Sequence, residues 1–159
     1  MSSMKRVLVI GSPGAGKSTF ARNLRDKTGL PLYHLDNIWH KSDQTTISRE
    51  EFDERLNAIL AKDSWIIDGN YSRTLELRLM HCDTVFLLDY PLEVCLAGVN
   101  ERIGKEREDI PWVEHEFDEE FPETRLPGIY RLLHRYEQGR EIHIFRSREE
   151  ADGYLVNID

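Results

Sequence analysis

Residues 11–18 read Gly-Ser-Pro-Gly-Ala-Gly-Lys-Ser and stand between two segments of different pattern. Before them, Val7, Leu8, Val9 and Ile10 form an unbroken apolar run, as in a strand buried on both faces. After them, Phe20 and Leu24 recur four apart until Gly29 stops the pattern, as in an amphipathic helix. A buried strand that must turn at once into a helix leaves few arrangements. The strand lies inside a parallel sheet, the helix covers it, and the loop sits at the strand's carboxyl end.

The rest of the chain repeats this alternation. Leu30 to Leu35, Trp65 to Ile67, Thr84 to Leu88 and Ile142 to Phe145 read as four further strands. Ser48-Arg49-Glu50-Glu51 is a capping box, and Phe52, Leu56, Ile59 and Leu60 then share a helical face. Arg73 to Met80 predicts a short helix, and Pro91 suits the first turn of another. Ile129, Leu132, Leu133 and Tyr136 fall on one face, ended by Gly139, and Ser147 to Glu150 form a second capping box. Five apolar strands with helical connections predict an α/β protein, a three-layer α/β/α sandwich around a parallel sheet. Residues 1–159 are expected to form a single domain.

The loop pattern is G-x-x-x-x-G-K-[ST], with every fixed position filled. Gly11, Gly14 and Gly16 let successive backbone N–H groups turn inward around an anion, and the following helix adds its own unpaired donors. Lys17 brings a cation to the β- and γ-phosphates of a nucleoside triphosphate, and Ser18 offers a hydroxyl to Mg²⁺. The segment Gly11, Ser12, Pro13, Gly14, Ala15, Gly16, Lys17, Ser18 and Thr19 is therefore the expected nucleotide cradle.

Charge is unevenly spread. The net charge is −8, and residues 106–123 hold nine carboxylates against one base, Arg107. No block of basic residues stands elsewhere, so direct nucleic-acid binding is not expected. The acidic run is either a solvated surface or a device that discourages a second polyphosphate. No apolar run approaches the roughly 20 residues that span a bilayer. Cys82 and Cys95 suggest two ordinary thiols in a reducing, cytoplasmic setting.

The phosphate loop, together with Ile66-Ile67-Asp68-Gly69-Asn70-Tyr71 and Leu87-Leu88-Asp89-Tyr90-Pro91, resembles the adenylate-kinase-like group of P-loop kinases. More closely, Leu35-Asp36-Asn37-Ile38-Trp39, the segment from Trp65 to Tyr71 and the stretch from Arg102 resemble the bacterial topology modulation (FlaR-related) proteins. The resemblance implies the P-loop NTPase fold, a strand order of 2-3-1-4-5 and a lid insertion at about 104–124. It implies ATP or another nucleoside triphosphate as donor, Mg²⁺ as cofactor, and a small-molecule acceptor as partner. Asp68 matches the carboxylate that holds Mg²⁺ through water in nucleoside monophosphate kinases, although an aspartate before glycine also suits a plain turn. Those kinases read Asp-Gly-x-Pro-Arg. Here the arginine falls one residue late, at Arg73, with Arg78 as the alternative.

Asp36 is expected to accept a hydrogen bond from the acceptor, as a general base where that is a hydroxyl, or to orient the metal waters, or else to cap the segment after it. Trp39 and His34 are candidates for the pocket wall or for packing, and Asn70 follows Asp68-Gly69 toward the acceptor. Asp89 is a weaker candidate, since a helix cap explains it equally. By resemblance Arg102 stacks on adenine, Lys105 or Arg107 reaches the phosphates, and Arg146 lies beside the donor base. Arg125 and Arg131 complete the cationic clamp. The expected function is transfer of the γ-phosphoryl of ATP to a nucleotide or nucleoside-like acceptor, by a monomer or weak dimer. The alternative is a nucleotide-binding regulator of the topology-modulation type, without turnover.

Overall fold

The computed structural model describes residues 4–12, 14–43, 45–95, 97 and 124–158. Strands β1 (Arg6–Gly11), β2 (Leu32–His34), β3 (Trp65–Asp68), β4 (Thr84–Leu88) and β5 (Glu141–Phe145) form one sheet in the order β2-β3-β1-β4-β5. Every neighbouring pair is parallel. The helices are α1 (Lys17–Thr28), α2 (Leu35–Trp39), α3 (Arg49–Leu60), α4 (Ser72–His81), α5 (Leu126–Arg135) and α6 (Arg148–Asn157). Residues 92–95 form a further helical turn after β4. The α/β class is as the sequence pattern predicts, and the strand order is the one the resemblance implies.

Alternation along β1 divides the core in two. Val7 and Val9 face α1 and α6, where Phe20, Ala21, Leu24, Ala151 and Leu155 pack against them. Leu8 and Ile10 face the opposite layer, built from Leu35, Phe52, Leu56, Leu75, Ile129 and Leu133 of the remaining helices. All four β1 side chains have 0% exposure. A strand buried on both faces has no polar position to spare, which accounts for its continuous apolar run.

Both capping boxes form. Ser48 Oγ accepts from Glu51 N at 3.1 Å and Ser147 Oγ from Glu150 N at 3.2 Å, so α3 and α6 begin where the sequence places them. One expectation fails at a boundary. The second strand is only Leu32–His34, because Leu35 already opens α2. Cys82 and Cys95 are both buried free thiols. Among the described residues, no helix is long and apolar enough to cross a membrane.

Since all strands run the same way, Gly11, His34, Asp68, Leu88 and Phe145 end at one edge of the sheet. Registers place His34 and Val9 opposite Asp68, and Gly11 opposite Leu88. The residues after these strand ends converge on one crevice.

Candidate functional site

The loop after β1 starts under tight constraint. A Cβ on Gly11 would lie 2.4 Å from the Leu88 carbonyl oxygen, so the two backbones approach as only glycine permits. Gly14 and Gly16 then take φ values of 81° and 88°, which carry the chain round into α1. No side chain caps α1 and no acid stands in its first turn, which leaves its positive end suited to an anion. Lys17 Nζ donates to Ser12 O at 3.3 Å, folding back over the loop. Thr19 is exposed on the first turn, and Ala15 in the loop is buried. Pro13 lies outside the described residues.

Asp68, 5% exposed at the end of β3, gathers two partners on one oxygen. Ser18 Oγ donates to Asp68 Oδ2 at 3.0 Å, and His34 Nδ1 lies 2.7 Å from the same atom. A carboxylate oxygen accepts, so His34 carries its proton on Nδ1. His34 is thus a partner of Asp68 rather than a pocket wall. A hydroxyl beside a carboxylate is a hard-oxygen donor set of the kind Mg²⁺ takes when triphosphate and water supply its other ligands. Among the described residues no group of three or more His, Cys, Asp or Glu side chains could hold a metal by itself.

A second carboxylate is held in the first turn of α2. Tyr71 donates its hydroxyl to Asp36 Oδ1 at 2.7 Å. Burial first, and the neighbouring Asp36 charge second, push the Tyr71 phenol far above its ordinary range, so it remains a donor. Tyr71 is the one non-glycine residue at positive φ, 26°, among the described residues. Its ring stacks on Phe52 at 5.5 Å and 13°, and Trp39 meets both rings edge-on. Trp39, Phe52 and Tyr71 wall a cavity of about 270 Å³ whose rim carries Arg49, Arg73 and Arg125. Arg73 also pairs with Asp53 at 2.8 Å, and its guanidinium holds the Asp53 carboxyl below the usual range. Arg125 donates to Ser72 Oγ at 3.0 Å. Arg125 and Ser72 also border an adjoining cavity of about 500 Å³, lined by Arg131, Arg135, Leu75 and Ile129.

Trp39, Arg73 and Arg125 therefore meet in one cavity, with Arg131 next door. Two expectations need correction. Arg78 has 0% exposure and donates to backbone carbonyls of the turn after β3, so it is out of reach of an acceptor. Asn70 does not offer its amide to the acceptor either. Its Oδ1 accepts from Gly11 N at 3.0 Å and its Nδ2 donates to Gly11 O at 2.7 Å. Asp89 accepts from Tyr130 Oη, and exposed Arg146 lies 3.4 Å from the same carboxylate. Arg102, Lys105 and Arg107, and the lid segment up to residue 123, lie outside the described residues. Tyr71, Phe52 and Arg49 are cavity residues that the sequence reading does not single out for the site; the signal for Tyr71 is an aromatic side chain directly after Asp68-Gly69-Asn70.

No family model matches the chain. The adenylate kinase of Thermotoga neapolitana is 30% identical over 97 residues, covering 59% of this chain and 43% of that protein. The adenylate kinase of Kocuria rhizophila is 32% identical over 105 residues, covering 63% and 53%. The chain thus spans about half the length of the curated relatives it matches. Among solved structures, a shikimate kinase from Acinetobacter baumannii in complex with shikimate aligns over 97% of this chain and 90% of its own. Its TM-score is 0.57 at 18% identity. A shikimate kinase from Bacteroides thetaiotaomicron gives a TM-score of 0.58 at 17% identity, covering 97% and 96%. The chain has the α/β fold of P-loop kinases, and its sequence is similar to that of adenylate kinases.

Proposed function

We propose that this protein is a small-molecule kinase that moves the γ-phosphoryl group of ATP to a nucleotide or nucleoside-like acceptor. The observation that carries this reading is a pair of separately braced carboxylates, one against the glycine-rich loop and one in the short helix after β2. Asp68 is held by Ser18 and His34, and Asp36 is held by Tyr71. A nucleotide binder without turnover needs the loop but has no use for the second carboxylate or for an arginine-rimmed cavity beside it.

Phosphoryl transfer depends mainly on positioning and on cations around the moving group. The loop from Gly11 to Thr19 would cradle the triphosphate, with Lys17 on its outer phosphates. Ser18 and Asp68 would hold Mg²⁺, directly and through water, and the ion would supply charge neutralisation. Asp36 would orient the attacking oxygen and take its proton where that oxygen is a hydroxyl. The aromatic walls suit a flat ring, and the rim arginines suit an anionic group on the acceptor. By resemblance, Arg102 and Arg107 would close over the donor, and Arg146 would lie beside its base.

The test is an acceptor screen. ADP release from ATP and Mg²⁺ is followed with pooled nucleosides, nucleoside monophosphates and sugars, with the Lys17→Ala variant as blank. Release that depends on one pool and vanishes in the blank supports the kinase. Nucleotide binding with no release above the blank for any pool overturns it in favour of a regulator of the topology-modulation type.

A further inference from the structure

The turn between β3 and α4 has its backbone gripped from inside. The Arg78 guanidinium donates through Nη1 to Gly69 O at 2.9 Å and through Nη2 to Asn70 O at 2.5 Å and Tyr71 O at 3.0 Å. Its Nε donates to Thr74 Oγ1 at 3.2 Å. Three successive carbonyls thus converge on one side chain that has 0% exposure. Such an arrangement is costly unless every donor is used, since an unpaired buried cation carries a large desolvation penalty. Burial draws the group down to about 9, so it stays charged at neutral pH.

The two residues that follow Gly69 point the consequence in opposite directions. The Asn70 amide brackets Gly11 with two hydrogen bonds, across 59 residues of sequence. The Tyr71 hydroxyl holds Asp36, across 35 residues. Tyr71 sits at φ 26°, a conformation that side-chain-bearing residues keep only where their surroundings enforce it. Arg78 donates to the carbonyl of that residue, beside the Asp36 bond and the Phe52 stack that hold its side chain.

We propose that Arg78 is a positioning residue that keeps the phosphate loop and the acceptor carboxylate in register. It fixes one turn whose adjacent side chains, Asn70 and Tyr71, each brace one half of the site. The acceptor half rests on the kinase reading; the donor half stands on the Gly11 contacts alone. A lysine keeps the charge but cannot fork to three carbonyls, so charge and geometry are separable.

The experiment compares Arg78→Lys, Arg78→Met and Asn70→Ala with the parent chain, well below each melting temperature. One readout is the affinity for a fluorescent ATP analogue. The other is hydrogen exchange at the Gly11 N–H relative to the amides of Val7 to Ile10, a ratio that general destabilisation leaves alone. Both arginine variants should weaken the analogue about tenfold, as losses of supporting contacts around a site commonly do. Each should also speed Gly11 exchange selectively. Asn70→Ala breaks only the last link and should reproduce both effects. The Arg78→Lys/Asn70→Ala double variant should be no worse than either single change, because the two act in series. Parental affinity and exchange in Arg78→Lys, or additive losses in the double variant, would overturn the proposal. So would an Asn70→Ala chain that behaves like the parent. A parent chain that fails to bind the analogue would refute the nucleotide reading, while the exchange ratio would still decide the role of Arg78.

Discussion

Replacing Asp68 by asparagine removes one charge and almost no volume, and the structure says what should follow. Two donors, Ser18 Oγ and His34 Nδ1, converge on Asp68 Oδ2 at 3.0 and 2.7 Å. An asparagine can turn its single oxygen toward both, so the contacts survive as neutral ones. Bonds to a charged partner contribute about 1.5–3 kcal/mol and neutral ones about 0.5–1.5, which sets the loss over two bonds at about 2–3 kcal/mol. At about 2–4 °C per kcal/mol in a domain of this size, the melting temperature should fall by about 4–12 °C, leaving a folded protein. Metal-free ATP binding should be kept or slightly improved, because a carboxylate beside a triphosphate repels it. The Mg²⁺ dependence should move to higher concentration. Phosphoryl transfer should fall at least about tenfold, about 1.4 kcal/mol in the barrier. Calorimetric titrations of ATP with and without Mg²⁺, with initial rates across a Mg²⁺ series, measure each quantity. A variant with the parent's Mg²⁺ profile and rate would refute the reasoning and leave Asp68 as a turn residue.

Lys17→Ala should lower turnover by about 10²–10³, the usual loss for a group that stabilises transition-state charge, with an unchanged melting curve; equal turnover in the two proteins would sink the phosphate-loop reading. Tyr71→Phe keeps the ring stack on Phe52 and deletes only the donor to Asp36, so acceptor-dependent kcat/KM should drop about tenfold while ATP affinity stays put. Gly11→Ala drives a methyl to 2.4 Å from a backbone oxygen and should cost about 1–3 kcal/mol, read as a lower melting temperature. Burial pushes the Cys82 thiol up to about 11 from 9.0, so the folded chain holds that proton longer than the unfolded one. The associated stability is fully present below about pH 9 and is lost as pH rises toward 11. A thiol reagent at pH 8 should accordingly label the folded protein far more slowly than the chain in denaturant.

What was legible in the sequence is what is locally encoded. The run from Val7 to Ser18, the two capping boxes and the apolar strands each carry their signal within a few residues, and the fold follows from their order. Helix α2 was missed because no side chain caps it and it begins one residue after β2 ends. The site residues divide along the same line. Lys17 and Ser18 act from within their motif. The role of Asn70 depends on a backbone 59 residues away, and that of Tyr71 on a carboxylate 35 residues away, and no local pattern records either distance. Arg78 lies in a helix among Leu77, Leu79 and Met80, where an arginine ordinarily reads as the solvated position. Its partners, three carbonyls of the preceding turn and the Thr74 hydroxyl, lie on the inward side.

The crowding at Gly11 also determines what genetics can repair. The atoms that a side chain there would strike are the Leu88 carbonyl oxygen, Cβ and nitrogen, all but one belonging to the main chain. Exchanging Leu88 for a smaller residue leaves that oxygen and nitrogen where they are. A selection for suppressors of a Gly11 substitution should therefore yield true revertants and no second-site changes at position 88. Asn70 stands differently, since its link to Gly11 runs through a side-chain amide. A side-chain amide from another position can in principle supply the same acceptor and donor, so suppressors of Asn70 substitutions should be recoverable.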